Sequence, residues 1–112
     1  MTAIDPKKAV IALRALHGQL TSQTGVANYK TYAAIRVYCD AAFAWCDENE
    51  DKDTNYLEEK LALFLSYCEY ATFPVEGDHK SSSEWLSSAS DNLMKVELIA
   101  LNNLKESLTA SN

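Results

Sequence analysis

The 112-residue chain predicts an all-α fold, an antiparallel four-helix bundle with a long C-terminal helix, and three observations carry that expectation. Apolar residues recur at helical spacing through four segments, each segment is bounded by capping or turn residues, and no alternating apolar run is long enough for a strand hairpin. The connections are short, which makes sequential helices antiparallel neighbours. A length of 112 residues suits one domain, so residues 1–112 are read as a single helical unit.

The first helix is expected to start at Asp5-Pro6, an N-cap followed by proline at the first helical position, where a missing N–H costs nothing. Ala9, Leu13, Leu16 and Leu20 then form one buried stripe, which fades at Thr21-Ser22-Gln23-Thr24-Gly25. The second helix is expected from about Asn28 to Cys46. Two adjacent stripes run along it, Tyr32, Ile35, Cys39, Ala42 and Cys46 beside Ala34, Tyr38, Ala41 and Trp45. With Val37 and Phe43 as well, it reads as the most central helix.

The third helix carries Leu57, Leu61, Phe64, Cys68 and Ala71 and stops before Pro74, and Asn55 with Glu58 has capping-box spacing at its start. A second capping box, Ser81 with Glu84, opens a fourth helix expected from Ser82 to Leu108. That helix has more apolar residues than one buried face uses: Trp85, Leu86, Leu93, Met94, Val96, Leu98, Ile99, Leu101, Leu104 and Leu108. At about 40 Å it also outruns the first and third helices, so self-association through it, as a homodimer, is expected.

The net charge of −6 is unevenly distributed. Residues 1–46 hold five cations against two acids, +3, so the remainder carries −9. An acidic total speaks against sequence-independent nucleic-acid binding, which needs a basic face to neutralise phosphates. No segment approaches the roughly 20 apolar residues of a membrane span, and a cytoplasmic location is expected. Cys39, Cys46 and Cys68 all sit in apolar helical patterns and read as reduced, packed thiols; a Cys46–Cys68 bridge is the alternative. No phosphate loop, nucleophile elbow or zinc-ligand spacing appears, and His17 and His79 have no ligand partners in sequence, so neither a cofactor nor an enzymatic activity is expected.

Three binding constellations remain. The acidic segment between the second and third helices, with Asp47, Glu48, Glu50, Asp51 and Asp53, must lie in water, at a cation or against a basic partner. Together with Trp85, an aromatic residue in the polar first turn of the fourth helix, these acids are the expected protein-binding residues. The same segment overlays the calcium loop of the EF-hand at Asp47, Asn49, Asp51, Asp53, Asn55 and Glu58. The resemblance covers only these residues, and Lys52 stands where the loop requires glycine. A solvated connection is the plainer reading.

The third constellation joins Tyr29, Lys30, Tyr32 and Arg36 to Lys7 and Lys8, where tyrosine faces and cations would suit a nucleotide. The expected function is therefore non-enzymatic: an acidic helical protein that binds and blocks or adapts another protein with a basic surface. In size and composition, though in no motif, the chain is similar to toxin-neutralising immunity proteins and phage-encoded inhibitors of bacterial defence. The alternatives are a nucleotide-sequestering protein and a calcium-responsive module.

Overall fold

A computed structural model describes residues 3–23, 26–49, 54–75, 77 and 80–110, with side chains as far as Leu101. Four helices follow one another: α1 (Pro6–Ser22), α2 (Val26–Glu48), α3 (Asn55–Thr72) and α4 (Ser82–Ala110). No strand occurs among the described residues. Each helix packs on two neighbours: α1 on α2 and α4, and α3 on α2 and α4. This closed ring is the four-helix bundle expected from the spacing and the short connections.

Helix α1 starts as the sequence dictates. The Asp5 carboxylate accepts the Lys7 backbone N–H at 2.9 Å, and Pro6 occupies the first turn. Just before it, the Ile4 N–H donates to the Ala41 carbonyl at 3.1 Å, which ties the start of α1 to the C-terminal half of α2. At the other end of α1, the His17 ring meets the Leu86 carbonyl at 2.8 Å and thus the start of α4. These two contacts fix α1 antiparallel to both neighbours.

The core holds Leu13, Ile35, Leu57, Leu61, Phe64 and Val96, all fully buried, together with the three cysteines. The first α2 stripe, Tyr32, Ile35, Cys39, Ala42 and Cys46, is buried throughout. Its second stripe is only half-buried at Ala34, Tyr38 and Trp45, and Val37 is 52% exposed. Helix α2 is thus no more central than the others, because in a closed ring every helix leaves one side to solvent.

Two starts differ in detail. Helix α2 begins two residues before the expected Asn28, and α3 is capped at Thr54 rather than by an Asn55 capping box. Asn55 is the first helical residue, and the Thr54 side chain makes no cap hydrogen bond. The Ser81 box at α4 is formed: the Ser81 hydroxyl accepts the Glu84 N–H and donates to its carboxylate, both at 3.2 Å. Beyond the core, Met94, Leu98 and Leu101 stay exposed along α4.

Candidate binding surfaces

The antiparallel packing sorts functional side chains between two ends of the bundle. At one end α2 passes into α3. Asp47 and Glu48 are exposed in the last turn of α2, while Glu50, Asp51 and Asp53 lie outside the described residues. Asn49 donates its amide to the Trp45 carbonyl at 2.8 Å.

Glu58 turns inward to Cys46. The Cys46 thiol is pushed up to about 11, first by burial and then by the nearby charges of Glu58 and Asp47. Thr54, 5% exposed, precedes α3 and makes no side-chain cap bond. Of the expected calcium ligands, Asp51 and Asp53 lie outside the described residues. Among the described residues, no group of three or more His, Cys, Asp or Glu side chains is placed to hold a metal ion.

Burial raises the other two thiols as well. Cys68 is pushed up to about 12, and Cys39 is raised further by burial, with Cys68 and Asp40 adding to it. All three cysteines are free and buried. Thiols held protonated in an apolar setting are packing residues, not nucleophiles.

At the opposite end α1 and α3 stop and α2 and α4 begin. Tyr29, 51% exposed, stacks on Phe73 with ring centroids 5.2 Å apart and planes 2° from parallel. Tyr32 meets Phe73 edge-on at 5.5 Å and is itself buried, which raises its phenol. Lys30 and Arg36 are exposed beside them.

Lys7 and Lys8 are not part of this group. They open α1, where Lys7 pairs with Asp5 at 3.8 Å, close to Ala41 on α2. Twelve residues of α2 separate Ala41 from Tyr29, about 18 Å along the axis, so the structure leaves Lys30 and Arg36 beside the tyrosines of the expected nucleotide site but parts Lys7 and Lys8 from them.

Trp85 sits in the first turn of α4 and is half-buried. Its ring stacks on Tyr67 (5.4 Å, 23°) and meets Tyr70 at 4.9 Å, and the Lys80 ammonium lies 4.8 Å from its centroid. Tyr70 is 42% exposed. Trp85 is therefore an element of a composite aromatic surface shared by α3 and α4. From the acidic loop it is far: Asn55, where α3 begins, and Tyr70 are 15 residues apart, about 22 Å along the helix. Asp47 and Glu48, at the end of α2, and Trp85, at the start of α4, therefore lie at different ends of the bundle.

Tyr67, Tyr70 and Lys80 were not singled out by the sequence, although Tyr67 and Tyr70 stand three apart on one helical face. Only the register of α3 on α4 places Trp85 between them. Also unforeseen is a cleft of about 730 Å³ between the end of α1 and the start of α4, lined in part by His17, Thr21, Asn28, Ser83, Ser87 and Ser90. Ser83, Ser87 and Ser90, spaced by four and three, were its sequence trace.

No helix among the described residues is long and apolar enough to cross a membrane. The chain matches no protein-family model, no curated protein and no solved structure.

Proposed function

We propose that this chain is a non-enzymatic binding protein that docks another protein, one with a basic surface, through the Tyr67–Tyr70–Trp85 cluster. The cluster is the single observation that carries the reading: three aromatic rings in mutual contact, one pair stacked and two tilted, at a rim shared by two helices and partly open to solvent. Tryptophan and tyrosine dominate the energetics of protein interfaces because they bury a large area at little entropic cost. The rings are already held against one another, so little ordering is left to accompany binding. The exposed acids Asp47 and Glu48 and the net charge of −6 add longer-range attraction for a basic partner. A blocking or adapting role, as in immunity proteins and defence inhibitors, follows from stoichiometric binding without chemistry, and the protonated, buried thiols agree with it.

The test is capture from an extract of the native host with the intact protein, with Trp85→Ala and with Trp85→Phe. A protein retained by the parent, lost with Trp85→Ala and recovered with Trp85→Phe is the expected result, with circular dichroism unchanged across the three. Equal retention by Trp85→Ala excludes the cluster.

Self-association through α4 is a second reading, supported by the exposed stripe of Met94 (52%), Leu98 (55%) and Leu101 (44%). Spacings of four and three place these side chains along one seam of the helix, the arrangement that a facing helix covers in a coiled-coil contact. The docking cluster lies near the start of α4, so a dimer built on the seam leaves it accessible.

A further inference from the structure

The cleft between the end of α1 and the start of α4 is not used by the protein-docking reading, and its chemistry differs from that of the aromatic cluster. Its volume, about 730 Å³, lies within the range of small-molecule sites. No lysine, arginine or carboxylate lines it among the described residues.

The wall is uncharged and offers both halves of a hydrogen bond. Ser83, Ser87 and Ser90 follow at spacings of four and three on one face of α4, a row about 10 Å long. No other described residue engages their hydroxyls, so each is able to donate and to accept. Ser83 and Ser87 are exposed and Ser90 is half-buried, which leaves the row open to solvent. From α1, the exposed Thr21 hydroxyl donates to the His17 carbonyl at 2.8 Å and keeps its lone pairs to accept. Gln23 accepts from the Thr31 hydroxyl at 2.6 Å through Oε1, so its amide N–H groups are left to donate. The Tyr29 ring, 51% exposed and stacked on Phe73 at 5.2 Å, adds an aromatic surface already held in place.

A phosphate or carboxylate would meet no cation in this cleft, and an ammonium no carboxylate. A purely apolar ligand would strip water from the hydroxyl row and return no hydrogen bonds. Peptide backbones are read at strand edges or through apolar side chains laid in a groove, and no strand occurs among the described residues. A saccharide fits on each count: it is neutral, its hydroxyls both donate and accept, and the C–H bonds of a pyranose face pack on the electron-rich face of an aromatic ring. We propose that this cleft binds a neutral saccharide of disaccharide size, with its hydroxyls along Ser83, Ser87 and Ser90 and a pyranose face on Tyr29.

The experiment follows backbone amide resonances of the intact protein by NMR during titration with maltose, cellobiose, trehalose, trehalose phosphate and triglycine. At least one of the neutral disaccharides is expected to shift the signals of Thr21, Tyr29, Ser83 and Ser87 with a Kd at or below about 10 mM, and triglycine to bind at least roughly fivefold more weakly. Trehalose phosphate should bind no more tightly than trehalose, since no cation meets its charge. Ser87→Ala, which takes one hydroxyl from the row, is expected to weaken disaccharide binding by about three- to tenfold. Tyr29→Ala should weaken it by at least about threefold, while Tyr29→Phe, which keeps the ring, should bind as the parent does. Both positions are exposed, so the variants should melt as the parent does. If no disaccharide moves these resonances at about 50 mM, the proposal fails. It fails equally if Ser87→Ala and Tyr29→Ala both bind as tightly as the parent, or if trehalose phosphate or triglycine binds more tightly than every neutral disaccharide.

Discussion

Each buried thiol couples protonation to folding, and the direction of that coupling is set by burial. A thiol whose pKa is raised in the folded state keeps its proton there and loses it sooner in the unfolded chain. Its stabilising effect is complete below the unfolded value near 9 and disappears as pH rises through the folded value, about 11 for Cys46 and about 12 for Cys68. Stability should accordingly decline above pH 9, and Cys68→Ala should make that decline shallower by about 1.4 kcal/mol per pH unit, the contribution of one proton. Urea denaturation of parent and variant between pH 8 and pH 11 measures the two slopes; parallel curves would contradict the burial of Cys68. At the same scale, the sequence made the α2 core face readable because Ile35, Cys39, Ala42 and Cys46 repeat at helical spacing. It did not make Val37 readable, since an apolar residue looks the same in sequence whether or not a neighbouring helix covers it.

Helix ends separate what is local from what is tertiary. Asp5-Pro6 and Ser81-Glu84 cap α1 and α4 by bonds within a few residues, so both were legible from spacing alone. Asn55-Glu58 has the same spacing and forms no box, because α3 already begins at Asn55 and its N-cap position falls to Thr54. Asp5→Ala should therefore cost about 1 kcal/mol of unfolding free energy by loss of an N-cap, as should Ser81→Ala. Asn55→Ala, at a position that caps nothing, should cost less than about 0.5 kcal/mol, as expected for a surface substitution. Denaturant titration of the three variants checks the order, and a larger loss at Asn55 than at Asp5 would contradict it. The candidate surfaces follow the same division. Tyr67 and Tyr70 share a face by local spacing, but their union with Trp85 needs the docking of α3 on α4. Lys7 and Tyr29 were grouped through residue chemistry, and the antiparallel arrangement of α1 and α2 parts them.

For the whole molecule, the closed ring of helices leaves distinct surfaces for distinct contacts. Asp47 and Glu48 lie at the end of α2, the aromatic cluster and the cleft lie near the opposite end, and the apolar seam runs along the exposed side of α4. If two copies meet along that seam, Leu98→Lys should convert a dimer to a monomer without loss of helicity, since the side chain is outside the core. Static light scattering at several protein concentrations reads the change, and a parent that is monomeric throughout would remove the self-association reading. The protein-docking reading is tested most directly by hydrogen–deuterium exchange on the complex isolated by capture. Docking at the aromatic cluster predicts slowed exchange at residues 66–72 and 82–90, with little change at residues 44–49. Slowed exchange confined to residues 44–49, or to the outer stretch of α4 from Met94 to Leu101, would contradict it.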